Sequence, residues 1–239
     1  MMESGGMDRK NLGDSVPTHR AHPKDRSGAD PHFAVPIGSA TRGRLRFTGG
    51  AHWLVVRAEL HLPDLCQVRF GDRMPTMGAR RGVVSVRYPR FPTDDWLSYQ
   101  SERPAEVALN ASLPWDVEVR GGVSQLVAEL RALRLGSLLL EGGASRVEVM
   151  LPSPSGTVAV LILGGASNVT IYRPAGVSAR LRVEGGATNL TFDGRHTGAA
   201  GGELDLRTSN HDGATDRYEF AITGGANNVS IEGDERSEP

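Results

Sequence analysis

Acids have the first claim to chemistry in this chain. Asp94 with Asp95, and Glu203 with Asp205, are the nearest candidates for a carboxyl pair. Cleaving a glycosidic bond needs two carboxyls about 5–9.5 Å apart, one of them holding a proton. Neither pair sits in a repeated segment beside a basic partner, so both read as solvated loop acids and no catalytic residue is assigned. The seven histidines (His19, His22, His32, His52, His61, His196 and His211) are scattered without H-E-x-x-H spacing. Cys66 is the single cysteine, so no intramolecular disulfide and no Cys-based zinc site is expected. Neither a G-x-S-x-G elbow nor a P-loop is present, so acyl and phosphoryl transfer have no support. The expectation is no enzyme, no metal and no cofactor.

A second set of polar residues recurs with a period. Asn168, Asn189 and Asn228 each stand four residues after the first glycine of a Gly-Gly pair, in GGASNV, GGATNL and GGANNV. Stacked amides can form a hydrogen-bonded ladder, each bond contributing about 0.5–1.5 kcal/mol net. A ladder supporting the chain is the expectation, with an exposed ligand-binding stripe as the alternative. Asn110, Asn168, Asn189 and Asn228 also begin N-x-S/T tripeptides. Three of these arise from the repeat itself.

The elements that carry these residues follow from the repeat. Gly-Gly pairs occur at Gly49–Gly50, Gly121–Gly122, Gly142–Gly143, Gly164–Gly165, Gly185–Gly186 and Gly224–Gly225. From 121 onward the pairs start 21, 22, 21 and 39 residues apart, the last gap holding a degenerate GGELDL at Gly201. Positions two and four before each pair, and five and seven after its first glycine, are apolar in all six copies. A spacing of two is one face of a strand. Each repeat therefore reads as strand, Gly-Gly corner, strand, turn. Alone, such a unit has no partner for its backbone groups or its apolar face. Stacked at about 4.8 Å, it has both. The glycines are the expected structural corners, because they reach positive φ and carry no Cβ to clash between layers. VSQLVAELRALRL (123–135) also has a helical pattern, but GGVSQL is in register with the other copies and a strand is expected.

This gives an all-β fold, a single-stranded β-solenoid (β-helix or β-roll) of about 21-residue Gly-Gly repeats with a disordered N-terminal tail. The domain reading is a disordered tail over 1–40, an N-terminal β region over 41–113, the Gly-Gly repeats over 114–232, and a disordered tail over 233–239. The tails are poor in large apolar groups and cannot offset their ordering entropy. The high glycine content, 30 of 239 residues, suits many turns and lacks the collagen period.

GGASNVTI and GGATNLTF, with LRVEGG before one of them, resemble bacterial putative-adhesin or toastrack-like repeat domains. LRFTGGAHWLVVRAEL followed by GVVSVRYPR looks like the N-terminal portion of actinobacterial members of that group. The resemblance spans about 41–232. It implies a stacked all-β repeat fold and carries over no catalytic residue.

Charge bounds the partners. The net charge is −1, so no global field draws the chain to nucleic acid or anionic lipid. Residues 42–90 hold ten arginines against three acids, and residues 191–239 are net −6. A basic end with Trp53, Phe70 and Tyr88 as stacking groups would suit nucleic acid, but no nucleic-acid motif accompanies it. No apolar stretch follows the charges of MMESGGMDRKNLGDS, and no run of 18 apolar residues exists. No secretory signal and no membrane span are therefore expected, and the expected compartment is the cytoplasm. The functional expectation is a non-enzymatic scaffold or interaction module with an unknown protein partner or with itself. A carbohydrate-binding or carbohydrate-active β-helix is the alternative.

Overall fold

The computed structural model describes residues 32–70, 74–88 and 103–234. Alternating apolar and polar residues give nineteen strands among them. In the first half these are β1 (His32–Val35), β2 (Gly43–Thr48), β3 (Ala51–Glu59), β4 (Cys66–Arg69), β5 (Thr76–Arg80), β6 (Val83–Arg87), β7 (Ala105–Asn110), β8 (Pro114–Arg120) and β9 (Val123–Glu129). The second half continues with β10 (Arg134–Glu141), β11 (Ala144–Met150), β12 (Thr157–Leu163), β13 (Ala166–Pro174), β14 (Ser178–Val183) and β15 (Ala187–Phe192). It closes with β16 (Arg195–Ala200), β17 (Leu204–Arg207), β18 (Arg217–Ile222) and β19 (Ala226–Asp234). One 3-10 turn, His211–Gly213, follows β17.

The strands form two sheets. One runs β1-β4-β7-β3-β9-β11-β13-β19-β15-β16, the other β17-β14-β18-β12-β10-β8-β2-β6-β5. A rung of the stack is one strand from each sheet with the Gly-Gly pair between them, as in β12 and β13. Rung pairs with rung in parallel: Leu138 lies opposite Val160, and Val147 opposite Val169. The apolar columns face inward between the sheets, and none of their twenty-four residues is more than 3% exposed. Burial of each valine, leucine, isoleucine or phenylalanine among them contributes roughly 1.5–3 kcal/mol, and the one alanine, Ala128, less.

Rung order departs from chain order in two places. The rung β14–β15 does not sit on β12–β13. The last rung, β18–β19, lies between them, so Val169 faces Val229 and Val229 faces Leu190. At the other end β2–β3 lies between β6–β7 and β8–β9. A rung runs backwards near each end, and β1 adds one more strand beyond β4. β16 and β17 pair antiparallel to β15 and β14, and β4 and β5 pair antiparallel to β7 and β6. The degenerate GGELDL is therefore neither a missing parallel rung nor a formless insertion. Gly201 and Gly202 join β16 to β17 and lie against Gly186. The tight turn at Asp193 and Gly194, both with positive φ, reverses the chain before them.

Two boundaries differ from the sequence expectation. Residues 32–40 are not part of a disordered tail: β1 pairs with β4, Val35 is buried, and Phe33 and Ile37 pack against the core. A short segment with three large apolar groups finds its partner in β4, which local composition does not reveal. At the other end Gly233 and Asp234 continue β19 opposite Arg173 and Pro174. Residues 1–31 and 235–239 lie outside the described residues. The segment 123–135 is strand β9, a turn and the start of β10; the repeat register prevails over helical propensity.

Candidate functional site

The Gly-Gly pairs lie one above another along the edge where the sheets meet. Gly121 and Gly142 have φ of +97°, and Gly164 +134°. Gly142 N–H donates to the Leu163 carbonyl at 2.9 Å, and Gly224 N–H to the Gly164 carbonyl at 3.0 Å, so rung is bonded to rung at the corner itself. Gly165, Gly185, Gly224 and Gly225 lie outside the positive-φ region. At Gly185 and Gly224 it is space, not conformation, that requires glycine: a Cβ on either would stand 2.6 Å from the backbone of the next rung.

Asn168, Asn228 and Asn189 lie in that spatial order on successive rungs. Asn189 Nδ2 donates to Asn228 Oδ1 and Asn228 Nδ2 to Asn168 Oδ1, each at 2.7 Å. All three have φ near +55°. Arg146, in the same column, has φ +51°. Asparagine tolerates this left-handed bulge better than other non-glycine residues. The column therefore has a backbone reason beside its hydrogen bonds. Asn110 is different: it is buried, and its Nδ2 donates to the carbonyls of Leu62 and Asp64 at 2.7 and 2.9 Å.

The other sequence candidates are dispersed. Asp94 and Asp95 lie outside the described residues. Asp205 is held by Arg180, whose Nε donates to Oδ1 at 2.8 Å, and this hydrogen bond keeps the carboxyl below the usual aspartate range. That favours the charged form, the opposite of what a proton donor needs. Phe70 is buried and Tyr88 stacks on Phe47, so the three aromatics do not form one exposed stacking surface. His211 is buried, with Nε2 3.0 Å from Glu219 Oε1 and Nδ1 3.3 Å from Asp212 Oδ1.

The outer face of the nine-stranded sheet has an organisation that the sequence reading did not find. At its middle, Leu139, Leu161 and Ala221 lie opposite one another on β10, β12 and β18. Ala159 and Leu163, two residues either side of Leu161, widen this apolar strip, and Leu163 is 36% exposed. Glu219 stands beside Ala159 and Glu141 beside Leu163, so two acids border the strip on β18 and β10, and further charges flank it on both sides. On one side Asp116 and Glu118 of β8 take Arg42, Arg44 and Arg46. Arg42 is bidentate on Asp116 at 2.7 and 3.0 Å, and Arg46 Nε stands 3.0 Å from Glu118. Asp116 is 5% exposed. Burial pushes its pKa up, but hydrogen bonds from Arg42, Ser137 and Arg44 outweigh this and hold it below the usual value. The bulged Gly136 makes room, since a Cβ there would stand 2.6 Å from the Asp116 carboxyl. On the other side lie Arg180, Arg182 and Glu184, with Asp205 beyond.

The outer face of the ten-stranded sheet carries a polar depression of about 340 Å³ near β3, β4 and β7. Arg57, Glu59, His61 and Gln67 line it, beside the pair Arg69–Glu106 at 3.1 Å. Among the described residues no helix is long and apolar enough to cross a membrane.

No protein-family model matches the chain, and no curated protein matches its sequence. Among solved structures it is similar to the crystal structure of a putative cell adhesion protein from Clostridium sporogenes. The TM-score is 0.62 at 15% identity, over 86% of this chain and 99% of that one. At that identity the likeness is one of fold: a nearly all-β chain of long, largely parallel sheets.

Proposed function

We propose that the chain is a non-enzymatic two-sheet solenoid of the toastrack-like kind, and that it works as an interaction module. One observation carries this reading: the apolar strip around Leu161, set between charged flanks on a parallel sheet. Leu163 is exposed and Leu139, Leu161, Ala159 and Ala221 are half-buried, and a contiguous apolar strip rimmed by polar groups is the kind of surface that marks an interaction site. The structural likeness to a protein named for cell adhesion is compatible with the reading. A second reading, carbohydrate binding, draws on the depression at Arg57 and Glu59, where donors and acceptors for sugar hydroxyls lie side by side.

Labelled full-length chain applied to protein and glycan arrays tests both, with ligand mass followed in parallel. Retention with unchanged ligand mass is the expected result. A shortened glycan would overturn the non-enzymatic reading. Glycan retention lost in Arg57→Ala and Glu59→Ala would move the function to the depression.

A further inference from the structure

We infer that the partner of the nine-stranded sheet's outer face is a second copy of this chain, docked face to face about a two-fold axis that runs along β12. This rests on the interaction-module reading and names its partner. The argument is the charge order across the strands. In the row through Leu161, read from β2 to β17, the residues are Arg46, Glu118, Leu139, Leu161, Ala221, Arg182 and Asp205. A two-fold axis along β12 places each residue against the one equally far on the other side. Leu161 then meets Leu161, Leu139 meets Ala221, Glu118 meets Arg182, and Arg46 meets Asp205.

The neighbouring rows behave alike two strands from the axis. In the row through Ala159, Asp116 lies opposite Arg180 and Ser137 opposite Glu219, though Asp116 is buried under Arg42, so its charge reaches a second copy only through that ion pair. In the row through Leu163, Arg120 meets Glu184, which lies one residue beyond β14 with its N–H on the Ile222 carbonyl at 3.0 Å. All three pairs between β8 and β14 are opposite in sign. At the outer margin Arg44 meets Arg207, a like-charged pair, each with a carboxylate of its own chain, Asp116 at 3.3 Å and Asp205 at 3.5 Å. The opposite-sign groups also have partners within the chain, Arg46 on Glu118 and Arg120 on Glu141 at 3.0 Å each and Arg180 on Asp205, so docking adds a second partner to each and does not supply a missing one.

The match depends on the rung order. With β14 directly beside β12, Arg182 would meet Leu139 and the pairing of signs would fail. The insertion of β18 between them moves the arginine out to the flank and puts Ala221 beside Leu161. Seven strands about 4.8 Å apart, with three outward residues each, present a face of roughly 700 Å² per copy, close to the roughly 800 Å² per partner of a standard interface. Two such sheets pack about 10 Å apart with their strands nearly aligned.

Sedimentation equilibrium of the full chain tests this, with circular dichroism to confirm folding. Wild type is expected at twice the mass of one chain, with a dissociation constant that rises with salt. Leu161→Lys is expected at the mass of one chain. Arg120→Glu and Glu184→Arg each weaken the dimer at least tenfold, because each sets like charges together twice. Mixing these two variants restores an opposite-sign contact at both places and brings association back to within about threefold of wild type. A monomeric wild type, a dimer that survives Leu161→Lys, or a mixture no tighter than its components would overturn the inference. A monomer that still retains an array ligand would remove the self-docking and leave the interaction-module reading standing.

Discussion

Replacing Gly142 by alanine should destabilise the protein well beyond what its backbone angle requires. Its φ of +97° costs a non-glycine residue about 1–2 kcal/mol. Alanine recovers about 0.4–1 kcal/mol by restricting the unfolded chain. Those two effects also act at Gly156, where φ is +76° and nothing lies within 4 Å of a Cβ. Gly142 differs in its neighbours, since a Cβ would stand 2.7 Å from Gly122 N and 3.1 Å from Gly121 C. These atoms belong to the adjacent rung's backbone and cannot rotate away. Overpacking of that kind costs about 1–3 kcal/mol. Gly142→Ala is therefore expected to lose about 2–4 kcal/mol in all, and Gly156→Ala about 1 kcal/mol or less. At roughly 2–4 °C per kcal/mol for a chain of this size, thermal unfolding followed by circular dichroism separates them. Gly185→Ala isolates the steric part. It has no positive φ, yet its Cβ would approach Gly224 C to 2.6 Å. If Gly142→Ala and Gly185→Ala melt with Gly156→Ala, the corners are not stacked in contact and the reasoning fails.

Other outcomes follow from the same structure. Asn168→Gly should be nearly neutral and Asn168→Val should cost about 1–2 kcal/mol, because the left-handed bulge excludes a β-branched residue; equal urea midpoints would refute this. Asp116 has a depressed folded pKa, so its contribution is present above the unfolded value near pH 4 and is lost as pH falls through the lower folded value. Asp116→Asn should thus melt below wild type at pH 7, with the gap narrowing below about pH 4; a gap that widens in acid would contradict the sign. Burial, with Asp64 adding to it, pushes the Cys66 thiol up to about 12. A thiol reagent at pH 8 should therefore leave it intact until urea unfolds the chain, and rapid native labelling would count against its place in the core. Ile162→Ala, at a site 2% exposed, should cost about 2–5 kcal/mol, far more than any change at the exposed asparagines, as read by urea unfolding.

Much of the fold was legible because burial follows the chain's own period. Leu45, Val147 and Phe192 are inward for the same reason, two-residue alternation about a glycine corner. The site was less legible. Leu139, Leu161 and Leu163 break that alternation in GSLLLE and TVAVLIL, where polar residues belong on an outward face. The signal was present, but an extra leucine in a strand passes as core until the sheet's outer side is known. Arg42 and Asp116 are 74 residues apart, and only the placement of β2 beside β8 brings them within 2.7 Å. The strand β1 escaped notice because four residues in a polar segment have no pattern of their own.

By itself the sequence determined the rung: its corner, its two strands, its inward columns and its repeated asparagine; the left-handed φ at that asparagine came only with the structure. It could not determine which rung sits on which. Every copy offers its neighbours the same backbone donors and acceptors and nearly the same aliphatic columns, so local interactions barely distinguish one stacking order from another. The hairpin at Asp193–Gly194 and the backward rung β16–β17 settle that order by closing one end, and the returning chain fills the place between β12–β13 and β14–β15. That long-range decision set Ala221 beside Leu161 and moved Arg182 to the flank.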